Sequence, residues 1–242
     1  LLLAVSFSSI GFIAALTVTV LAAREVSSNP LYLGFPNAVG VGGAFIGTQM
    51  FYKISKKYSR LAALSLTFFV GALGSVVLFY SLVIDSFILL MIGALILGFG
   101  QSATLQSRYA ASFVASEKFK ATALSLAVWF SVFGSVFGPR LVSVYSDYFD
   151  NLFNSELIVG YIVAMVGMLF ASASVFTFTS SNSSLREPAE VEEVAEKVNE
   201  SKKDGNILTL LLVLNHFTMV VIMSATPLHV QDIGETVELV GV

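Results

Sequence analysis

Long apolar stretches alternate with short polar links along most of this 242-residue chain. Each stretch has about 20 residues, the length that a helix needs to cross a bilayer core roughly 30 Å thick. A membrane β-barrel would instead show segments of about ten residues in which apolar and polar side chains alternate. The pattern therefore predicts an all-α, polytopic membrane protein. The expected spans are residues 1–23, 31–52, 61–84, 87–108, 121–144, 157–179 and 207–230.

The composition supports this interpretation. Hydrophobic residues make up 56% of the chain and charged residues 12%, whereas about a quarter of the residues in a soluble domain are charged. Cysteine is absent from the chain, which excludes disulfides, thiolate catalysis and cysteine-ligated metal centres within it.

Charged residues are divided between alternate links. A basic link, Lys53, Lys56, Lys57 and Arg60, follows the second span, and basic residues recur after the fourth span, whereas the other links are mainly acidic. Because lysine and arginine are retained on the cytoplasmic side, we predict a plasma-membrane protein whose N-terminus and basic links are cytoplasmic. We interpret the basic link as a topology signal in contact with anionic lipid, and not as a nucleic-acid site.

A polar, charged segment divides the chain into three regions. Residues 1–179 are predicted to form a six-helix transmembrane bundle, and residues 180–206 a cytoplasmic linker. The linker has apolar residues at helical spacing, so a short amphipathic helix and a disordered segment are both open. Residues 207–242 are interpreted as the first helix of a truncated second bundle, in a fragment of a longer protein.

The stretch from Gly98 to Leu141 carries the motif evidence. Its fifth-span part reads Gly134-Ser-Val-Phe-Gly138-Pro139, which resembles the Gly-x-x-x-Gly-Pro motif of the major facilitator superfamily. Six spans, a charged linker and a seventh span also resemble the plan of that family, over essentially the whole chain. Residues 105–111 and 223–229 are similar to a poorly characterised, mostly bacterial subgroup.

The resemblance implies a function and a partner. It implies secondary active transport of a small solute by alternating access between two bundles, the second supplied by the missing C-terminal half of the chain. The basic link stands where the family has an Asp-Arg-x-Gly-Arg-Arg signature, but the acid and the glycine are absent, with Ser55 and Tyr58 nearest. This departure keeps open a non-transporting sensor or scaffold with a transporter-like fold.

Glycine marks two spans for close helix packing, because small residues let helix backbones approach in lipid. The second span is rich in glycine, and the fifth contains Gly134 and Gly138. Pro139 removes one backbone hydrogen bond and bends a helix, so Gly134, Gly138 and Pro139 are predicted to seal one side of the bundle. Ordinary close packing without gating is the alternative.

Two polar residues on the fourth span are candidates for the solute cavity. Gln101 and Arg108 share one helix face by their spacing, and Gln101 lies nearer the middle of the membrane, where an amide facing lipid is costly. Arg108 is a candidate for binding an anionic solute or a gating carboxylate. The alternative is that Arg108 extends to the membrane interface.

Asn215 and His216 lie near the centre of the seventh span and are further cavity candidates. Free histidine has a pKa near 6.5, and titratable groups inside membrane bundles are functional candidates, so His216 is the candidate for proton coupling. The alternative is a neutral histidine hydrogen-bonded between helices. A coupling residue in the missing half, or transport without protons, also stays open.

The sequence offers little for catalysis. Two histidines and no cysteine are present, with carboxylates confined to the links, whereas an active site needs acids, bases or metal ligands that face one another. A membrane-embedded enzyme is thus the less favoured alternative, and no cofactor or metal is predicted. No phosphate-binding Gly-x-x-x-x-Gly-Lys loop is present. The expected partners are a small-molecule solute, membrane lipids and protons, and not nucleic acid.

Overall fold

The computed structural model describes residues 1–27, 32–153 and 155–181, together with residues 211, 214, 218, 221 and 222. The helices in this part of the chain are α1 (Leu2–Val26), α2 (Phe35–Lys57), α3 (Arg60–Val83), α4 (Phe87–Val114), α5 (Lys120–Phe153) and α6 (Ile158–Ser181), with a 3-10 turn at Glu117–Phe119. The predicted all-α fold class is confirmed.

Five of these helices are long and apolar enough to cross a membrane. They contain the spans Leu2–Val26, Arg60–Val83, Phe87–Val114, Lys120–Ser146 and Ile158–Ser180. The 23-residue α2 is long enough but is not among them, because its glycines and polar residues such as Asn37 and Gln49 dilute its apolar side chains. Its contacts with other helices therefore matter more for its position than its own hydropathy.

The basic link is mostly helical. Lys53, Lys56 and Lys57 lie in the last two turns of α2, and only Tyr58 and Ser59 separate α2 from α3. Ser59 begins α3 as its N-cap, since its hydroxyl accepts a hydrogen bond of 3.1 Å from the backbone N–H at the third helical position. The helix therefore continues five residues beyond residue 52, where the predicted span ends.

Two other helices also continue beyond the predicted spans. The helix α4 continues beyond Arg108 to Val114, and α5 continues beyond residue 144 to Phe153. Both predicted spans thus end before their helices do. Polar side chains mark where a chain leaves the hydrocarbon, but they do not prevent the backbone from remaining helical.

The short connection between α3 and α4 agrees with the sequence. It consists of three residues between Val83 and Phe87. Asp85 has a φ of 49°, a left-handed conformation that aspartate adopts more readily than most residues. Ser86 then caps α4 by accepting a hydrogen bond of 3.4 Å from the backbone N–H at the third helical position, so the chain reverses within one tight turn.

The six helices pack in a pattern with internal symmetry. The main contacts place α4 between α2 and α3, place α1 between α5 and α6, and pair α3 with α6. These pairs are unchanged when α1, α2 and α3 are exchanged with α4, α5 and α6, respectively. The two three-helix halves therefore follow one packing plan.

Glycine brings helix backbones into direct contact within this plan. A methyl group added at Gly71 of α3 would lie 2.6 Å from the Cα atom of Gly100 in α4. One added at Gly167 of α6 would lie 2.5 Å from the carbonyl oxygen of Phe7 in α1. Both distances are shorter than real Cβ contacts allow, so these helix pairs gain van der Waals contact that any larger residue would prevent.

A reciprocal pair of serines joins α3 to α6. Ser65 Oγ donates to the carbonyl oxygen of Ser172 over 3.0 Å, and Ser172 Oγ donates to the carbonyl oxygen of Ser65 over 2.9 Å. Both side chains are buried. Interhelical hydrogen bonds in membrane proteins contribute about 0.6 kcal/mol each on average, so this pair sets the register of α3 against α6 more than it stabilises the fold.

Candidate functional site

The Gly-x-x-x-Gly-Pro motif lies where α5 crosses α1. Gly134, Gly138 and Pro139 are all buried. A methyl group added at Gly134 would lie 2.5 Å from Cβ and 2.6 Å from the carbonyl carbon of Ser9, and one at Gly138 would lie 3.0 Å from the backbone nitrogen of Ala14. Gly134 is therefore required for the approach of α5 to α1 and Gly138 makes it easier, and the sealing role stays a prediction.

Pro139 gives the same crossing a local weakness. It lies inside α5, which is helical from Lys120 to Phe153. Because proline has no backbone N–H, the carbonyl group four residues earlier has no intrahelical partner. The helix α5 is thus easiest to bend at Pro139, the residue that follows Gly138 and its contact with α1.

An equivalent crossing joins α2 to α4. Gly43 and Gly47 have the same spacing as the motif in α5, and a methyl group at Gly47 would lie 2.9 Å from the Cα atom of Phe99 in α4. One at Gly43 would overlap the backbone of Leu95. The predicted close packing of the second span is confirmed at these two glycines but not at Gly42, whose added methyl would meet nothing within 4 Å.

Arg108 extends from α4 toward α5. Its Nη2 donates to Ser131 Oγ over 3.4 Å, and its Nε is buried without a hydrogen-bond partner among the residues that the structure describes. Guanidinium has five N–H donors, and a buried donor without a partner is unfavourable. Arg108 therefore keeps a buried N–H donor that no described residue satisfies.

The two cavity candidates on α4 occupy similar environments. Gln101 and Arg108 are both half-buried, and about two helical turns separate them.

The contact between Arg108 and Ser131 was not predicted, because no feature of the sequence distinguishes Ser131 from the other serines of the fifth span.

Cations of the basic link lie over aromatic rings, an arrangement that favours them electrostatically. The contacts are Lys56 over Tyr52 at 4.8 Å, Lys57 over Tyr58 at 5.4 Å and Arg60 over Phe113 at 5.2 Å from the ring centres. Phe113 belongs to the last turn of α4, so positive charge collects where α2 and α4 end and α3 begins.

The residues nearest the absent acid and glycine of the signature do not replace them. Ser55 is buried, and its Oγ donates to the carbonyl oxygen of Tyr52 in the same helix over 3.3 Å. Tyr58 is exposed at the end of α2. Neither residue supplies a charged contact across the bundle.

Asn215 and His216 lie outside the described residues, so their roles stay predictions. The same holds for residues 182–206 of the linker and for most of the region from 207 to 242. Within the part of the chain that the structure describes, no group of three or more histidine, aspartate or glutamate residues is placed to hold a metal ion.

Comparisons with known proteins give a consistent result. A family model described as Major Facilitator Superfamily matches residues 1–242. The "Uncharacterized MFS-type transporter YdeG" of Bacillus subtilis (strain 168) is 30% identical over 248 residues, covering 97% of this chain and 57% of the relative. The "Uncharacterized MFS-type transporter YddS" of the same organism is 27% identical over 248 residues, covering 97% and 56%. The chain thus spans little more than half the length of these relatives. No solved structure matches it significantly.

Proposed function

The chain belongs to the major facilitator superfamily and is therefore part of a multi-pass membrane protein. We propose that the whole protein moves a small solute across the plasma membrane by alternating access. The observation that carries this proposal is the crossing of α5 and α1 at Gly134 and Gly138. It holds two helix backbones together beside a proline that weakens one of them. Such a contact suits a bundle that must move as a body and seal one side.

The exposure of α5 supports a second bundle as its partner. Only 18% of the membrane-crossing window of α5 is buried, compared with 50 to 61% for the other four windows. The exposed side chains on this helix include Trp129, Val132, Val136 and Phe137. We propose that the C-terminal half of the same protein covers part of this apolar surface and that the solute cavity lies between the two halves.

Arg108 and Gln101 suggest the chemical class of the solute. The guanidinium fork binds carboxylate and phosphate groups with two parallel hydrogen bonds, and the buried Nε of Arg108 is without a partner among the described residues. We therefore propose a small anionic solute whose charged group binds Arg108 while Gln101 contacts a polar group deeper in the membrane.

His216 remains the proposed proton carrier. Histidine is the side chain whose ordinary pKa lies closest to neutral pH, and the seventh span would border the cavity in a two-bundle arrangement. The alternatives are a coupling residue in the C-terminal half and a uniporter driven by the gradient of the solute itself.

The proposed orientation places the N-terminus, the basic link and the linker in the cytoplasm. It is supported by the lysine-rich end of α2 and by the acidic connections at the other end of the bundle. The chain contains no cysteine, so single cysteines at Lys56 and Asp85 can be tested with impermeant maleimide, after removal of any cysteines elsewhere in the protein. We expect Asp85→Cys to react from outside the cell and Lys56→Cys only in inverted vesicles.

Solute flux in proteoliposomes tests the transport proposal. The full-length protein would be assayed with a panel of anionic and neutral metabolites, with and without a pH gradient. We expect Gly134→Ala to lower flux strongly, while Gly42→Ala, which adds the same methyl group in open space, retains it. Absence of flux for every solute by correctly folded protein would favour the sensor or scaffold, and chemical conversion of a solute would favour an enzyme.

Two further variants test the residue roles in the same assay. Because hydrogen bonds to charged groups contribute about 1.5–3 kcal/mol, Arg108→Gln should raise the half-saturating concentration of an anionic solute by about 10- to 100-fold and leave neutral solutes unchanged. His216→Ala should abolish the response to the pH gradient. An unchanged response would assign coupling elsewhere and leave the transport proposal standing.

A further inference from the structure

An apolar groove runs along the outer surface between α3 and α6. One part of it, about 290 Å³, begins at Tyr58 and Ser180, and a second part, about 460 Å³, extends to Phe69 and Leu169. Ala62, Ser65 and Phe176 line both parts, so the two cavities form one continuous groove.

Small side chains create the groove. Ser65 and Ser172 hold the two helices together by their reciprocal hydrogen bonds, whereas Ala62 and Ala173 leave the space above this contact unfilled. The walls are apolar, and the exposed Phe176 forms part of both sections. The groove is therefore shallow in side chains along its floor and predominantly apolar in its lining.

The length of the groove matches one leaflet of a membrane. From Ser59 to Phe69 the helix rises about 15 Å at 1.5 Å per residue, which is half of the roughly 30 Å hydrocarbon core. A helix is about 10 Å wide and cannot enter a space of this volume, whereas a single hydrocarbon chain can. These dimensions favour a lipid acyl chain over a protein segment.

The end of the groove that begins at Tyr58 carries positive charge. Tyr58 forms part of its wall, and Lys57 Nζ lies 5.4 Å from the centre of the Tyr58 ring. The first backbone N–H groups of α3 lie at the same end and favour phosphate. Lys56 and Arg60 lie over rings that do not line the groove, so among the three described ring contacts Lys57 is the cation whose ring partner forms part of the groove wall.

We propose that this groove binds an anionic phospholipid, with one acyl chain between α3 and α6 and the phosphate at Lys57 and the start of α3. Negatively charged lipid is attracted to cationic residues at the cytoplasmic surface, and here that attraction coincides with a site for the chain. The proposal does not depend on which solute the protein transports, or on whether it transports one.

Native mass spectrometry of the full-length protein tests the proposal. The purified protein would be titrated with phosphatidylglycerol and with phosphatidylcholine of the same acyl chains, and bound lipid counted. We expect preferential retention of phosphatidylglycerol. Lys57→Gln should reduce that retention about fivefold, whereas Lys56→Gln, which removes the same charge one residue earlier, should have little effect.

A second pair of variants tests the acyl-chain site. Leu66 lines the groove and Leu73 does not, although both are exposed on α3. Leu66→Trp should fill the groove and lower retention of both lipids at least threefold, while Leu73→Trp should leave retention unchanged. Thermal unfolding without added lipid checks that each variant folds, and Ala62→Leu replaces Leu66→Trp if that variant does not.

Three results would overturn the proposal. Equal retention of the two lipids by the unmodified protein would exclude recognition of the anionic headgroup. Equal losses in the Lys56 and Lys57 variants would indicate diffuse surface charge. Unchanged retention in a folded groove-filling variant would show that the acyl chain lies elsewhere.

Discussion

The crossings of α2 with α4 and of α5 with α1 are equivalent under the symmetry of the bundle but differ in their surfaces. At the first crossing both helices contribute glycine, because Gly43 faces α4 and Gly98 faces α2. At the second crossing only α5 contributes glycine, and α1 presents Ser9 and Ala14. At Gly43 and Gly98 the first contact thus has no Cβ atom on either helix, whereas the second places the Cβ atoms of Ser9 and Ile13 against the glycines of α5.

The two crossings also differ in the residue that follows the second glycine of each motif, Gly47 in α2 and Gly138 in α5. In α2 it is Thr48, whose Oγ1 donates to the carbonyl oxygen of Ala44 over 2.9 Å. In α5 it is Pro139, which lacks a backbone N–H and so removes a hydrogen bond from its helix. The same packing plan therefore gives one regular helix and one that is weakened beside its contact. We infer that bending during function is concentrated in α5.

The largest expected effect comes from making α2 resemble α5. Thr48→Pro should destabilise the protein by about 3 kcal/mol or more, because proline removes a backbone hydrogen bond and clashes with the preceding turn. Thr48→Val, which replaces the hydroxyl by a methyl group and keeps the backbone N–H, should cost less than about 1 kcal/mol. Denaturant unfolding in detergent measures both. Similar stabilities for the two variants would show that α2 tolerates a bend as α5 does.

Two adjacent glycines in α2 provide the next test. Gly43→Ala should destabilise the protein by about 1–3 kcal/mol, because the methyl group overlaps the backbone of α4. Gly42→Ala should stabilise it by up to about 1 kcal/mol, because alanine favours a helix and its methyl meets open space. The free energy of unfolding is again the measurement. The same sign for both variants would contradict the described packing of α2 on α4.

The smallest effects are expected within α5. Gly134→Ala places a methyl group 2.5 Å from Ser9 Cβ and should cost about 1–2 kcal/mol. Gly138→Ala, whose nearest neighbours lie at 3.0 Å, should change stability by less than about 1 kcal/mol, since the gain in helix propensity offsets a mild clash. Thermal unfolding ranks the two variants. A larger loss for Gly138→Ala would place the crossing nearer to that residue.

Span positions could be predicted because the bilayer sets the length of an apolar helix. The ends of the helices could not, as α5 shows by continuing past Asp147 to Phe153. Hydropathy reports where the chain leaves hydrocarbon, whereas the helix ends where capping and turn geometry end it, as at Ser59 and Ser86.

The candidate site was also predictable from the sequence only in part. Gly134, Gly138 and Arg108 could be selected from the sequence, because glycine spacing and a cation at the end of an apolar span are local features. The contacts with Ser9 and Ser131 could not be predicted, because they join residues distant in the chain.

The sequence by itself determined the class of this protein, an all-α multi-pass membrane protein with two glycine motifs and a positively charged link, since backbone groups in hydrocarbon must bond within their own helix. The tertiary structure alone decided which helix each motif contacts, and that the ring partner of Lys57, but not that of Lys56, lines the groove between α3 and α6. Helical spacing determines the face on which a residue lies, but the neighbour of that face is chosen by shape complementarity between helices far apart in sequence.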